Sequence, residues 1–306
     1  MKVVLVGEES AGLQVLRALA DSKHELVTVL ATPPGPKTRG FNLWSVAQNM
    51  GYETLPAGQV KQSDFADHLQ AKNVDILLNV HSLHIIHKDV VGAPRLGSFN
   101  LHHGLLPRYA GLNTVSWAIF RGETSHGVTV HKMDPGVDTG PVVYQSRFPI
   151  DADDTALSLS FKCVKEGASL IMRLLEAAES AAGIPLTPQN PENREFFGGG
   201  VPDQGRLSWS WPAAKVINFV RACDYLPFSS PWGHPLTRRG AQEFALVKAQ
   251  PTGLHSDATP GKVGDSTPSG VHVACQDEWI LASKLRVGDR YVPAGEFLNT
   301  GDDLGA

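Results

Sequence analysis

Asn100 and His102 lie two positions apart in a short apolar run, and Asp138 stands in a glycine-rich segment further on. If the run is a strand, residues two apart share a face, so the amide and the imidazole point to the same side. In an open parallel sheet, ligands bind at the carboxyl ends of strands. Asp138 follows a second expected strand, and a loop there can carry its carboxylate beside the first pair. Amide, imidazole and carboxylate together suit acyl transfer from a carrier that is not a phosphate. The amide N–H₂ stabilises an oxyanion, the imidazole handles the nucleophile's proton, and the carboxylate orients and charge-stabilises the imidazole. The other reading is structural: strand-end hydrogen bonding by Asn100 and His102, and turn formation by Asp138. Spacing leaves both open.

The elements that must position these groups alternate. Strand-like runs at residues 2–6, 26–31, 74–80, 98–101 and 127–133 are interleaved with helix-like runs at 11–19, 63–71 and 115–120. That alternation predicts a parallel sheet with crossover helices. A long helix follows, capped by Asp153 or Asp154, with Leu157, Phe161, Val164, Ile171, Leu174 and Ala178 on its apolar face. After Gly183 the prolines and the glycines 198–200 predict a linker over 184–204. The catalytic domain is thus 1–183 and a small β domain 205–306, with a helix over 212–222. Short strands at 244–249, 270–274 and 279–282 fit an antiparallel domain or barrel. The Gly/Pro/Ser/Thr-rich stretch 251–269 reads as a mobile loop, and the tail after Thr300 as frayed.

Composition excludes several classes. The 306 residues are 42 % hydrophobic and 19 % charged, ordinary for a soluble globular protein. No run is long enough to span a bilayer, and the first residues lack a cleavage signal. Three separated cysteines, Cys163, Cys223 and Cys275, argue against a disulfide framework and for a reducing cytosol. A net charge of −4 without a basic stripe disfavours extensive nucleic-acid binding.

Other motifs fail. Residues 7–12, Gly7-Glu8-Glu9-Ser10-Ala11-Gly12, are neither a dinucleotide fingerprint nor a phosphate loop. There is no nucleophile elbow and no Cys-x-x-Cys pair. His81, His84 and His87 recur every three residues, yet no His-Glu-x-x-His pattern accompanies them, so pocket-lining histidines are favoured over a metal site.

Asn100-x-His102 before Leu105-Leu106-Pro107, with Met133-Asp134-x-Gly136-x-Asp138-x-Gly140, resembles the signature of the 10-formyltetrahydrofolate-dependent formyltransferases. The similarity extends through residues 32–36 and 122–129 to Trp209-Ser210-Trp211-Pro212-Ala213 and Val220-Arg221-Ala222, and so covers nearly the whole chain. It implies a Rossmann-like α/β formyltransferase domain, an OB-like C-terminal domain, and Asn100, His102 and Asp138 as catalytic residues. It also implies 10-formyltetrahydrofolate as co-substrate, with no metal. Its pterin would meet Leu83, Ile85, Ile86, Leu105, Pro107 and Val137, with Asp134 beside them; plain core is the alternative for these apolar residues. Where the family carries a serine before Leu-Leu-Pro this chain has Gly104, whose backbone N–H is expected to stand in. His103 is expected either behind the reacting groups or at the rim of the substrate site.

The family includes methionyl-tRNA formyltransferase and amino-sugar N-formyltransferases. The segment 37–44 is less basic than the tRNA enzymes' Arg-Gly-Lys-Lys-like run. Residues 196–203, Trp209 and Pro231-Trp232-Gly233 are closer to the aminoarabinose-modifying enzyme and its relatives. With the acidic balance, this favours a small-molecule amine over tRNA-bound methionine. A formyl-carrier hydrolase remains a further alternative.

Overall fold

The computed structural model describes residues 1–35 and 42–305. The comparison resting on Lys37 and Arg39 therefore lies outside the described residues, as does Pro36.

In chain order the elements begin β1 (Lys2–Gly7), α1 (Glu9–Ala20), β2 (Glu25–Ala31), α2 (Leu43–Asn49), β3 (Thr54–Pro56), α3 (Phe65–Ala71), β4 (Ile76–Val80) and α4 (Lys88–Gly92). There follow β5 (Gly97–His102), β6 (Ala110–Gly111), α5 (Thr114–Phe120), β7 (Ser125–Lys132), β8 (Val142–Pro149) and α6 (Ala156–Glu179). The rest is β9 (Phe196–Phe197), α7 (Ala213–Ala222), β10 (Leu236–Arg239), β11 (Gln242–His255), β12 (Val263–Thr267), β13 (Gly270–Ala274), β14 (Glu278–Val287), β15 (Arg290–Pro293) and β16 (Leu304–Gly305). By compactness the chain forms two units. The first holds Met1–Gly111, Gly127–Phe148 and Phe161–Phe196, and the second Leu112–His126, Pro149–Ser160 and Phe197–Ala306.

The first unit is built on a seven-stranded sheet in the order β3-β2-β1-β4-β5-β7-β8. From β3 to β5 every pairing is parallel, as the alternation predicts. Val3 to Val6 are fully buried, because crossover helices cover both faces of such a sheet. Val4, Val6, Leu30, Leu77, Phe65 and Leu69 belong to one core cluster. The glycines of the failed phosphate motif serve packing: a Cβ on Gly12 would lie 2.8 Å from Leu43 Cδ2, and one on Gly7 3.0 Å from it. β7 departs from the parallel reading. It pairs antiparallel with β5 and sets His131 directly across from Asn100. On α6, Gly167 brings the helix backbone close over β5, where a Cβ would meet Leu101 Cδ2 at 2.6 Å.

In the second unit an antiparallel sheet runs β12-β13-β14-β11-β10-β16, with β15 on β14. Trp117, Phe120, Phe219 and Trp232 form a chain of ring contacts there, with centroids 5.0–6.4 Å apart. Two expectations fail in this unit. Residues 251–269 are not one loop: β11 continues through Pro251, opposite Ile280, to His255, and β12 begins at the buried Val263. Bulges in the register absorb the proline and glycine that made the stretch look loop-like. The tail is also tied down, since Leu304 is buried and pairs with Arg239, while Thr237 Oγ1 donates to the Gly305 carbonyl at 2.6 Å.

The long helix is α6, but Asp153 and Asp154 are not its cap. Thr155 and Ser158 exchange reciprocal bonds, Ser158 N to Thr155 Oγ1 and Thr155 N to Ser158 Oγ, which is the capping-box arrangement. Asp154 instead accepts from the Ser158 hydroxyl and from Asp151 N. The buried stripe is also rotated from the expected one. It holds Leu159, Cys163, Leu170, Ile171, Leu174 and Leu175, and leaves Phe161 exposed.

Candidate active site

Three neighbouring strands of the first unit present polar side chains in one row. The register pairs Asn79 on β4 with Asn100 on β5, and Asn100 with His131 on β7. Asn79 Nδ2 donates to Asn100 Oδ1 at 2.8 Å, which fixes the amide so that Asn100 Nδ2 faces the other way. That Nδ2 lies 3.1 Å from His131 Nε2 and 3.5 Å from Asp138 Oδ1. The second nitrogen of His131 sits 3.1 Å from the Lys132 carbonyl. Nδ1 therefore carries a proton, and the role of Nε2 follows the charge of the ring: it accepts from the Asn100 amide when the ring is neutral and donates towards Asp138 when the ring is protonated.

His102, two residues along β5 from Asn100, is buried. Its Nε2 is 2.5 Å from the Tyr109 carbonyl, so the proton of the neutral ring belongs on Nε2. Its Nδ1 lies 3.6 Å from Asp138 Oδ2, a distance for charge attraction or a bridging water rather than a direct hydrogen bond. The backbone carbonyl thus orients the imidazole, and the carboxylate faces the nitrogen free to accept a proton. Gly104 keeps this geometry open: a Cβ there would lie 2.4 Å from Tyr109 O and 2.7 Å from His102 Nε2. The role found for Gly104 is this room, together with a carbonyl that accepts from Thr129 Oγ1 at 2.6 Å. Thr129 also accepts from Leu106 N and from Gln145 Nε2, which anchors the turn after His102.

Asp138 sits in left-handed backbone (φ 55°) in the loop between β7 and β8. Lys132 N donates to the Pro141 carbonyl and closes that loop. Asp134 Oδ1 accepts from Gly136 N and Thr139 Oγ1, so Asp134 organises the loop from within. The Asp138 carboxylate accepts from Gly111 N at 2.8 Å and lies 3.4 Å from His131 Nε2. Burial pushes this carboxyl up, but His102, His131 and the Gly111 N–H outweigh burial and hold it at about 2. Burial pushes the His102 imidazole down, and Asp138 and the Tyr109 carbonyl oppose that only in part. Near neutral pH the pair is therefore a carboxylate beside a neutral imidazole, the state a proton acceptor needs.

The apolar residues expected around a pterin scatter. Leu83 and Ile85 are 80 % and 71 % exposed on the segment after β4, and Val137 is 45 % exposed beside Asp138. Leu105 and Pro107 are half-buried. Ile86 is 8 % exposed inside the core cluster with Val60 and Val90, a packing position rather than a pocket wall. His81, His84 and His87 do not converge. His81 Nδ1 lies 3.2 Å from Glu9 Oε2, its ring stacks on His103 at 4.9 Å, and His87 caps α4. Among the described residues no group of three or more His, Cys, Asp or Glu side chains could hold a metal ion.

Residues 1–175 match the family model for the formyl transferase domain, and residues 201–301 that for the formyl transferase C-terminal domain. The chain belongs to the formyl transferase family. The methionyl-tRNA formyltransferase of Legionella pneumophila strain Paris is 30 % identical over 311 residues, covering 98 % of this chain and 96 % of that one. That of Agathobacter rectalis is 27 % identical over 93 % of this chain and 89 % of its own. In structure, this formyltransferase resembles the N-formyltransferase of Helicobacter canadensis, solved with folinic acid and dTDP-3-aminofucose. The TM-score is 0.70 at 18 % identity, over 92 % of this chain and 98 % of that one. It also resembles a sugar N-formyltransferase of a Shewanella species, with a TM-score of 0.59 at 18 % identity over 79 % and 95 %. At those identities the likeness is one of fold. Among the described residues no helix is long and apolar enough to cross a membrane.

The sequence alone assigns no part in this site to Asn79, His131, the Tyr109 carbonyl or the Gly111 N–H. The available signal is a lone asparagine in Ile76-Leu77-Leu78-Asn79-Val80 and a histidine, His131, near the end of another largely apolar strand. Polar groups in such strands need a partner, and here they find one another.

Proposed function

We propose that this formyltransferase moves the formyl group of 10-formyltetrahydrofolate onto the primary amine of a small molecule, either a nucleotide-linked amino sugar or an amino acid or other amine. The observation that carries the reading is the convergence of Asn100 Nδ2, His102 Nδ1 and the Asp138 carboxylate at the end of β5. Apolar side chains left to water at Leu83, Ile85 and Val137 offer a surface that a flat ring system would cover.

When bound, the carrier supplies a formyl group already activated on a conjugated nitrogen, so attack by a neutral amine needs no Lewis acid. Asn100, with Oδ1 tied to Asn79, directs an N–H of Nδ2 at the formyl oxygen as it gains charge. Such a donor contributes about 10²–10³ in rate. His102 takes the proton of the attacking amine at Nδ1 while Nε2 stays on the Tyr109 carbonyl. Asp138 stabilises the resulting imidazolium, which returns its proton to the departing nitrogen. Proton transfer of this kind contributes about 10²–10⁴.

A small acceptor is supported by the net charge of −4 and by the sugar N-formyltransferases of the same fold. Methionyl-tRNA is the second reading, favoured by relatives at 27–30 % identity over 93–98 % of the chain. Asn100→Ala and His102→Ala are expected to lose at least about a hundredfold in turnover, with folate binding by calorimetry nearly unchanged. Wild-type turnover in either variant refutes the assignment.

A further inference from the structure

Residues 184–204 look in sequence like a linker, yet part of this segment grips the loop that carries Asp138. Thr187 and Val142 exchange backbone bonds at 2.8 Å in both directions and lay the segment along the start of β8. Two residues on, Gln189 turns its amide to the loop. Its Nε2 donates to the Asp138 carbonyl at 2.9 Å and to the Gly140 carbonyl at 2.7 Å, so both N–H groups are used on one short stretch of backbone. From further along the same segment, Arg194 Nη2 donates to the Val137 carbonyl at 3.0 Å.

The loop needs such bracing. Asp138 is a non-glycine residue in left-handed backbone, a conformation that is unfavourable for it and persists only where the surroundings impose it. Asp134 braces the loop from inside through Gly136 N and Thr139 Oγ1, but none of its bonds touches Asp138 itself. The carboxylate end is held by Gly111 N. The backbone end is held by Gln189. No strand ladder does this work, because residues 133–141 lie between β7 and β8.

We propose that Gln189 is a positioning residue for formyl transfer: its side-chain amide, bridging the carbonyls of Asp138 and Gly140, fixes the carboxylate that faces His102. The proposal rests on the reading of Asp138 as part of the reacting site. It assigns a role in the chemistry to a residue outside every motif of the chain. Gln189 itself touches no substrate in this account; it acts through the loop.

The probe is the titration of the His102 ring in the free protein, followed by NMR with labelled histidine, so no acceptor has to be known. The titratable groups facing His102 are Asp138, His131 and His81. Of these only Asp138 favours the protonated ring, and loss of its alignment lowers the His102 midpoint. Gln189→Met keeps the bulk and removes both donors without adding charge. The expected result is a downward shift of the His102 midpoint, in the direction of Asp138→Asn but smaller. It should be accompanied by a roughly tenfold to hundredfold fall in kcat, the size of effect that a misplacement near 1 Å produces. KM for 10-formyltetrahydrofolate should stay within about twofold. Gln189→Lys, which restores a donor, should recover part of kcat.

A purely structural Gln189 would lower Tm and leave the midpoint alone. An unshifted midpoint in Gln189→Met, alongside a shifted one in Asp138→Asn, overturns the proposal and spares the reading of Asp138. If Asp138→Asn shifts neither midpoint nor activity, it is the reading of Asp138 that fails. Should Gln189→Met not fold, Gln189→Asn, whose amide is one methylene too short to span both carbonyls, takes the same measurement with the same two outcomes.

Discussion

Asn100 and His102 are placed by a strand, Asp138 by a loop, and the two solutions differ in what secures them. β5 lies between β4 and β7, and its ladder fixes which way both side chains face before any side chain forms a bond. The loop has no ladder. It is held by Asp134 from inside, by Gly111 N at the carboxylate, and by Gln189 and Arg194 from a segment more than fifty residues away. A site built half on a sheet and half on a braced loop can keep its amide donor rigid while its carboxylate depends on a few replaceable bonds. Substitutions on the loop side should therefore change charge and proton affinity, and those on the strand side should change geometry.

The largest effect on the loop side is expected from Asp138→Asn. The carboxylate favours protonated His102, so its removal lowers the His102 pKa further below the usual histidine range. In the proposed mechanism the working form is the neutral ring, present above that pKa. The acid limb of residual kcat/KM should therefore move to lower pH while the maximum falls about 10²–10⁴. A pH–rate profile checks both, and an acid limb that moves upward would contradict the arrangement.

A smaller effect is expected from Gly104→Ala on the strand side. The new methyl must displace either Tyr109 O or the His102 ring. Overpacking of this kind costs about 1–3 kcal/mol in stability. The kcat should drop roughly tenfold, consistent with an imidazole moved by well under 1 Å. The acid limb should move less than in Asp138→Asn, because the carboxylate stays in place and only the bond between His102 and the Tyr109 carbonyl is disturbed. Paired with Asp138→Asn, this separates geometry from charge. Equal pH shifts in both variants would erase the distinction between strand and loop.

How much of this was legible in the sequence follows the same division. The alternation that places Asn100 and His102 at a strand end is local, and it holds. The partners across the strands are not local: that Asn79, Asn100 and His131 form one row depends on the register of three strands, including an antiparallel β7 that periodicity does not reveal. His102 was expected to lean on a carboxylate, and it leans first on the Tyr109 carbonyl, a backbone group that no residue type announces. Ile86 reads like its neighbours Leu83 and Ile85 until packing draws it into the core and leaves them outside. Proline and glycine made residues 251–269 and 184–204 look free, but bulged pairing in one case and side-chain bonds to a loop in the other hold parts of them in place.

The claim at the centre is acceptor-dependent formyl transfer. The most direct test follows folate absorbance as the wild-type protein meets 10-formyltetrahydrofolate, first alone and then with dTDP-linked amino sugars, amino acids and methionyl-tRNA in turn. Tetrahydrofolate is expected only in the presence of an amine, and fastest with a small one. Rapid formate release from the carrier alone, with no acceleration by any amine, would make the protein a hydrolase and contradict that claim.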